Sequence, residues 1–81
     1  MDGTETVYVG CVSHRHGYNY YVAKTEAGLL KQLAGYCREW WYEWDHLKAD
    51  PPPIDDLKCL DDYFEDNDSE FYDTSVEKLH D

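Results

Sequence analysis

Basic residues are scarce in this chain. Lysine and arginine number 7 against 18 aspartates and glutamates, a formal net charge of −11 with histidine neutral. Phosphate repels such a protein, so DNA, RNA and anionic membranes are poor direct ligands. Long apolar runs are missing as well, and nothing approaches the roughly 18–20 residues that a bilayer-spanning helix needs. Cysteine is limited to 3 residues, an odd number at irregular spacing, which fits reduced thiols better than a disulfide framework. Met1-Asp2-Gly3-Thr4-Glu5 has neither a basic start nor an apolar stretch behind it, so no secretory signal is expected and the location expected is cytoplasmic. Neither a phosphate-cradling glycine loop nor a G-x-S-x-G nucleophile turn occurs. With 81 residues, a second core cannot be built, so 1–81 is expected to form a single domain.

What is present begins with a strand. Thr6 to Ser13 is rich in β-branched and aromatic residues, with Val7, Val9 and Cys11 on one face and Tyr8 and Val12 on the other. His14-Arg15-His16-Gly17 reads as a turn, with Gly17 at the permissive position. Asn19 to Lys24 then returns as the second strand of a hairpin. Thr25 is a good N-cap and Glu26 suits the positive end of a helix dipole. A long helix is predicted from Glu26 to about Trp44, because Leu29, Leu33, Tyr36, Trp40 and Trp44 recur at helical spacing. Leu30, Ala34, Cys37 and Trp41 form an adjacent stripe. Asp50-Pro51-Pro52-Pro53 stops this helix, and Asp50 or a proline could start the next. Ile54, Leu57, Leu60 and Phe64 predict a short amphipathic helix to about Glu65. Glu70 to Leu79 reads as a third strand. The fold class is therefore α+β: a small antiparallel sheet, hairpin plus C-terminal strand, packed against one long and one short helix in the order ββααβ.

The acid is not evenly spread. Residues 1–49 carry five basic and six acidic residues, net −1; residues 50–81 carry two basic and twelve acidic residues, net −10. A disordered acidic tail would not hold Ile54, Leu57, Leu60, Tyr63, Phe64, Phe71, Tyr72, Val76 and Leu79 among its carboxylates. The acidic segment 50–81 is thus expected to be integral to the fold and to display ordered carboxylates. An ordered carboxylate array can occupy a cationic groove built for phosphate. Asp55, Asp56, Asp61, Asp62, Glu65, Asp66, Asp68 and Glu70 are the candidate partner contacts. Trp41 and Tyr42 are candidate aromatic anchors, because four neighbouring aromatics at 40–44 cannot all face one core; Trp40 and Trp44 are assigned to that core.

Other chemistries leave weaker signatures. Cys11, His14 and His16 make a C-x2-H-x-H run, short of the four ligands a closed zinc site needs. Asp66, Asp68, Glu70, Tyr72, Thr74 and Glu77 follow EF-hand loop spacing, but Phe71 stands where the loop requires glycine. His14 and His16 could serve as acid and base beside Arg15 in a small phosphodiesterase, yet the surrounding acid repels such a substrate. No catalytic residues, metal ligands or cofactor are therefore assigned.

The pattern Val7-Tyr8-Val9, His14-Arg15-His16-Gly17, Thr25-Glu26 and Leu33-Ala34-x-Tyr36-x-Arg38-Glu39-Trp40-Trp41 resembles small uncharacterised proteins of phages and bacterial mobile elements. It covers about the first half of the chain, and Tyr63-Phe64-Glu65 and Tyr72 to Leu79 are similar to the ends of those proteins. In size, acidity and aromatic content the chain also resembles anti-CRISPR and anti-restriction inhibitors, several of which mimic nucleic acid; this likeness of type carries no residue correspondences. It implies a bacterial host cell and a non-enzymatic inhibitor that binds a basic nucleic-acid-binding complex, with a CRISPR interference complex favoured, and blocks DNA binding. A metal- or calcium-responsive module and an antitoxin-like partner protein are the alternatives. The oligomeric state stays open.

Overall fold

The computed structural model describes residues 4–44, 47, 49–65, 67 and 69–80. The elements follow the order β1 (Thr4–His14), β2 (Gly17–Ala23), α1 (Glu26–Trp40), a 3-10 turn (Trp41–Glu43), α2 (Asp56–Phe64) and β3 (Phe71–His80). The fold is α+β, with a three-stranded antiparallel sheet in the order β2-β1-β3. The most β-prone segment, β1, takes the centre and pairs on both edges. Arg15 and His16 form the two-residue hairpin loop, and Gly17 opens β2 with φ +130°, where a β-carbon would be strained.

Alternation along β1 sorts its side chains. Val12 is fully buried beneath the helices. Gly10 lies on the same face, where an added β-carbon would stand 3.1 Å from Leu29 Cδ1 and 3.2 Å from Leu33 Cδ2, so α1 crosses the strand in close contact. Val7, Val9 and Cys11 point to the opposite side, away from the described helices, where Val7 is buried and Val9 and Cys11 are half-buried.

Thr25 Oγ1 accepts the Gly28 N–H at 3.0 Å and caps α1, as its sequence position predicts. The helix buries Leu29, Leu33, Ala34, Tyr36 and Cys37. It ends four residues earlier than its apolar stripe suggests, because the chain tightens into a 3-10 turn at Trp41. Two assignments reverse at this helix end. Trp41, expected as an exposed anchor, is 2% exposed and donates its indole N–H to the Asp50 carbonyl at 2.8 Å; Trp40, expected in the core, is 45% exposed.

A second correction concerns α2. Its cap is Asp55, whose Oδ1 accepts the Lys58 N–H at 2.9 Å, rather than Asp50 or a proline. With that start, Cys59, Leu60 and Tyr63 face inward, while Ile54 is 96% and Leu57 52% exposed. The two stripes share only Leu60 and, at the edge, Phe64. Arg38 of α1 fixes the entry to this helix. Its Nη2 donates to the carbonyls of Pro53 at 3.1 Å and Ile54 at 2.8 Å, and lies 2.9 Å from Asp56 Oδ1. Arg38→Met keeps the aliphatic stem and removes all three contacts. It is expected to cost about 1–3 kcal/mol, since the three contacts are part-buried to exposed; urea melts give the loss, and amide exchange should localise it to 54–60.

Candidate functional site

Helical geometry places the exposed residues of α2. At 3.6 residues per turn, Asp61, Glu65, Lys58 and Asp62 fall within an arc of roughly 100°, opposite the buried line of Cys59 and Tyr63, with Leu57 at the rim. Asp61 and Glu65 are exposed and stand one turn apart, about 6 Å along the axis. Asp62 Oδ2 lies 3.3 Å from Lys58 Nζ, an i, i+4 pair on an exposed surface worth a few tenths of a kcal/mol. Asp62 and Glu65 join Asp50, Lys58, Pro51 and Pro53 around a shallow hollow of about 470 Å³ whose floor is Trp41 and Leu47.

The other expected contacts divide. Asp55 is exposed but occupied as the cap of α2. Asp56 is half-buried and matched by Arg38, so its charge is locally neutralised. Tyr42 is exposed, at 56%, on the 3-10 turn and does not line the hollow. Asp66 and Asp68 lie outside the described residues. Glu70 was expected on the surface, yet it turns inward. Its Oε1 accepts the hydroxyls of Tyr36 at 2.8 Å and Tyr63 at 2.9 Å, and Trp44 Nε1 donates to the Tyr63 oxygen at 2.8 Å. Asn67 Oδ1 holds the approach to it by accepting the N–H groups of Ser69 and Glu70, both at 3.0 Å. Burial, reinforced by this carboxylate, pushes the Tyr36 phenol far above its usual range; burial does the same to Tyr63, against the opposing pull of the Trp44 N–H.

A second concavity of about 500 Å³ opens beside that cluster, between the hairpin loop and the end of α1. Its walls include His14, Arg15, His16, Trp40, Glu43 and Glu70. His14 stacks on Tyr36 with ring centroids 6.4 Å apart. Its Nδ1 accepts the His16 N–H at 3.2 Å, which assigns the proton to Nε2, 3.1 Å from Asn19 Oδ1. The ring is thereby oriented by an amide and the backbone, and among the described residues no carboxylate is hydrogen-bonded to either imidazole. Such a setting holds a ring in place.

The metal arrangements also come apart in three dimensions. Cys11 and His14 sit on opposite faces of β1, so the C-x2-H-x-H run does not converge. Among the described residues no three His, Cys, Asp or Glu side chains group as a metal site. β3 is extended from Phe71 onward, which carries Tyr72, Thr74 and Glu77 away in a line instead of around an ion. No described helix is long and apolar enough to cross a membrane.

The exposed partners Leu57, Ile54 and Trp40 escaped sequence reasoning because each completes an apolar stripe. Their only signal was the surplus of apolar residues over what one face can bury. No protein-family model, no curated protein and no solved structure matches the chain.

Proposed function

We propose that the protein is a non-enzymatic inhibitor that seats the outer arc of α2 in a basic groove of a nucleic-acid-binding protein and so excludes DNA. The observation that carries this is the presentation of that arc. A helix held by its own cap, by Arg38 and by the buried Tyr63 shows Asp61, Asp62 and Glu65 outward with Leu57 beside them. Solubility alone calls for dispersed charge and no exposed leucine. A carboxylate row with an apolar rim instead suits a protein groove, where lysines and arginines meet the acids and one apolar contact resists salt.

Steering by −11 charges speeds encounter with such a groove and fades with ionic strength. A guide-RNA-loaded CRISPR interference complex is the first target to test, on the resemblance in type. Capture of a labelled DNA duplex by that complex should fall as the protein is added. The Asp61→Lys, Glu65→Lys variant is expected to inhibit at least about tenfold more weakly, while circular dichroism stays unchanged, because neither side chain supports the fold. Asp55 and Asp56 are unsuitable for reversal, since one caps α2 and the other answers Arg38. Failure of the wild-type protein to compete rejects this target, and equal inhibition by the reversed variant rejects the α2 face.

A further inference from the structure

We infer that the uncovered face of the sheet binds a second copy of this chain, face to face, about a two-fold axis parallel to the strands. The face carries an exposed apolar patch along β2 and at the start of β3. Tyr18 is 62%, Tyr20 70%, Val22 57% and Phe71 64% exposed, with Val9 and Cys11 half-buried between these edges and Val7 buried; Asp73, Ser75 and Glu77 complete the β3 edge. An exposed apolar patch of this kind marks an interaction site. Nucleic-acid bases could stack on such tyrosines only within a basic rim. Here the β3 edge carries Asp73 and Glu77, so that occupant is rejected.

The register supplies the argument for self-association. Tyr18 and Phe71 both pair with Ser13, Tyr20 and Asp73 with Cys11, and Val22 and Ser75 with Val9. Glu77 pairs with Val7, and Lys24, the next residue after β2, stands at that same end, 3.7 Å from the exposed Glu5. A two-fold axis along β1 exchanges the edges, so β2 of one copy lies over β3 of the other. The four levels from Tyr18 to Lys24 then match: Tyr18 meets Phe71, the Tyr20 hydroxyl can donate to Asp73, Val22 covers Ser75, and Lys24 faces Glu77, while the β1 residues on the axis, Glu5 included, meet their own copies. A two-fold axis across the strands would stack β2 on β2 and bring Lys24 against Tyr18, losing the charge pair. Aligned sheets cross at about 30°, which shifts neighbouring strands by less than one residue and preserves these levels.

Three strands and four outward residues per strand give a footprint of roughly 14 by 24 Å. That is smaller than the roughly 800 Å² per partner of a standard interface, so the dimer is reversible and concentration-dependent. The helices lie on the two outer sides, which leaves both α2 faces free.

Analytical ultracentrifugation over a wide concentration range should show a monomer–dimer equilibrium. Tyr20→Glu places a carboxylate opposite Asp73 of the second copy, on a side chain that is 70% exposed and meets the exposed Tyr18 ring at 6.3 Å, and is expected to weaken dimerisation at least tenfold while circular dichroism stays unchanged. Lys24→Glu and Glu77→Lys should each weaken it, and the double variant should recover. A short bis-maleimide reagent should link the copies through Cys11, which faces itself across the axis, whereas Cys37 and Cys59 are fully buried. Cys11→Ser abolishes that link. A monomer at every concentration overturns the inference, as does a dimer indifferent to Tyr20→Glu or one in which the double charge swap gives no recovery. Asp61→Lys, Glu65→Lys leaves association intact, so this inference and the inhibitor reading fail separately.

Discussion

Tyr63→Ala is expected to leave no stable folded population at physiological temperature. The ring is fully buried and central: Trp44 and Phe64 meet it edge-on at 6.3 and 4.8 Å, Tyr36 at 5.9 Å, and Trp41 tilts against it at 6.4 Å. Truncating a buried aromatic costs about 3–5 kcal/mol through lost transfer energy and the cavity left behind. Loss of the hydroxyl removes a hydrogen bond to a carboxylate and the one accepted from Trp44, about 1.5–3 kcal/mol more. At roughly 0.05–0.15 kcal/mol per residue, an 81-residue chain has about 4–12 kcal/mol in total. Tyr63→Phe isolates the second part. It keeps the ring, leaves Tyr36 on Glu70, and should lower the melting temperature by about 4–8 °C per kcal/mol lost. Far-ultraviolet circular dichroism on heating separates the two variants. Equal melting of both would mean that the hydroxyl network, not ring burial, dominates.

That cluster also marks where sequence reasoning stopped. The element order and α1 are legible because β1 is uniformly β-prone and because α1 has more than three turns of regular spacing behind a threonine cap. The Trp40 and Trp41 assignments failed at the end of α1. Trp41 continues the line of the buried Ala34 and Cys37, whereas Trp40, in phase with Leu33 and Tyr36, lies on the wall of the concavity beside the hairpin loop, and periodicity does not announce where the covering layer ends. In α2 the stripe is ambiguous because both Ile54-Leu57-Leu60-Phe64 and Cys59-Leu60-Tyr63 are apolar lines. Tyr63 wins since its hydroxyl has a half-buried acceptor in Glu70 and Ile54 precedes the cap. Glu70 itself reads as one more acid in an acidic run. Its partners are 7 and 34 residues away, a separation that periodicity cannot register. The acidic face was legible in kind, but the carboxylates that stay outward could be chosen only once Arg38 had been seen to take Asp56 and the two tyrosines Glu70.

Alkali should unfold the protein through these same groups. Tyr36, Tyr63 and Cys37 are all raised above their usual ranges, chiefly because burial disfavours the anion. A free thiol titrates near pH 8.5 and a free tyrosine near pH 10. Below both values the folded and unfolded chains alike hold these protons, and the stabilising difference is fully present. Above them the unfolded chain releases first the thiol and then the phenol protons that the folded chain retains, so stability falls as pH rises toward the native values. A phenolate absorbance titration of the eight tyrosines should therefore end in a late, cooperative step that coincides with loss of far-ultraviolet circular dichroism. In urea that step should merge with the rest. Smooth titration of every phenol near pH 10 with the fold intact would contradict the Tyr36–Glu70–Tyr63 arrangement. Glu70→Gln divides the causes: its amide oxygen still accepts both hydroxyls, but the negative charge is gone. The late step should then move down by the electrostatic share and still remain above the free tyrosine value by the share that burial contributes.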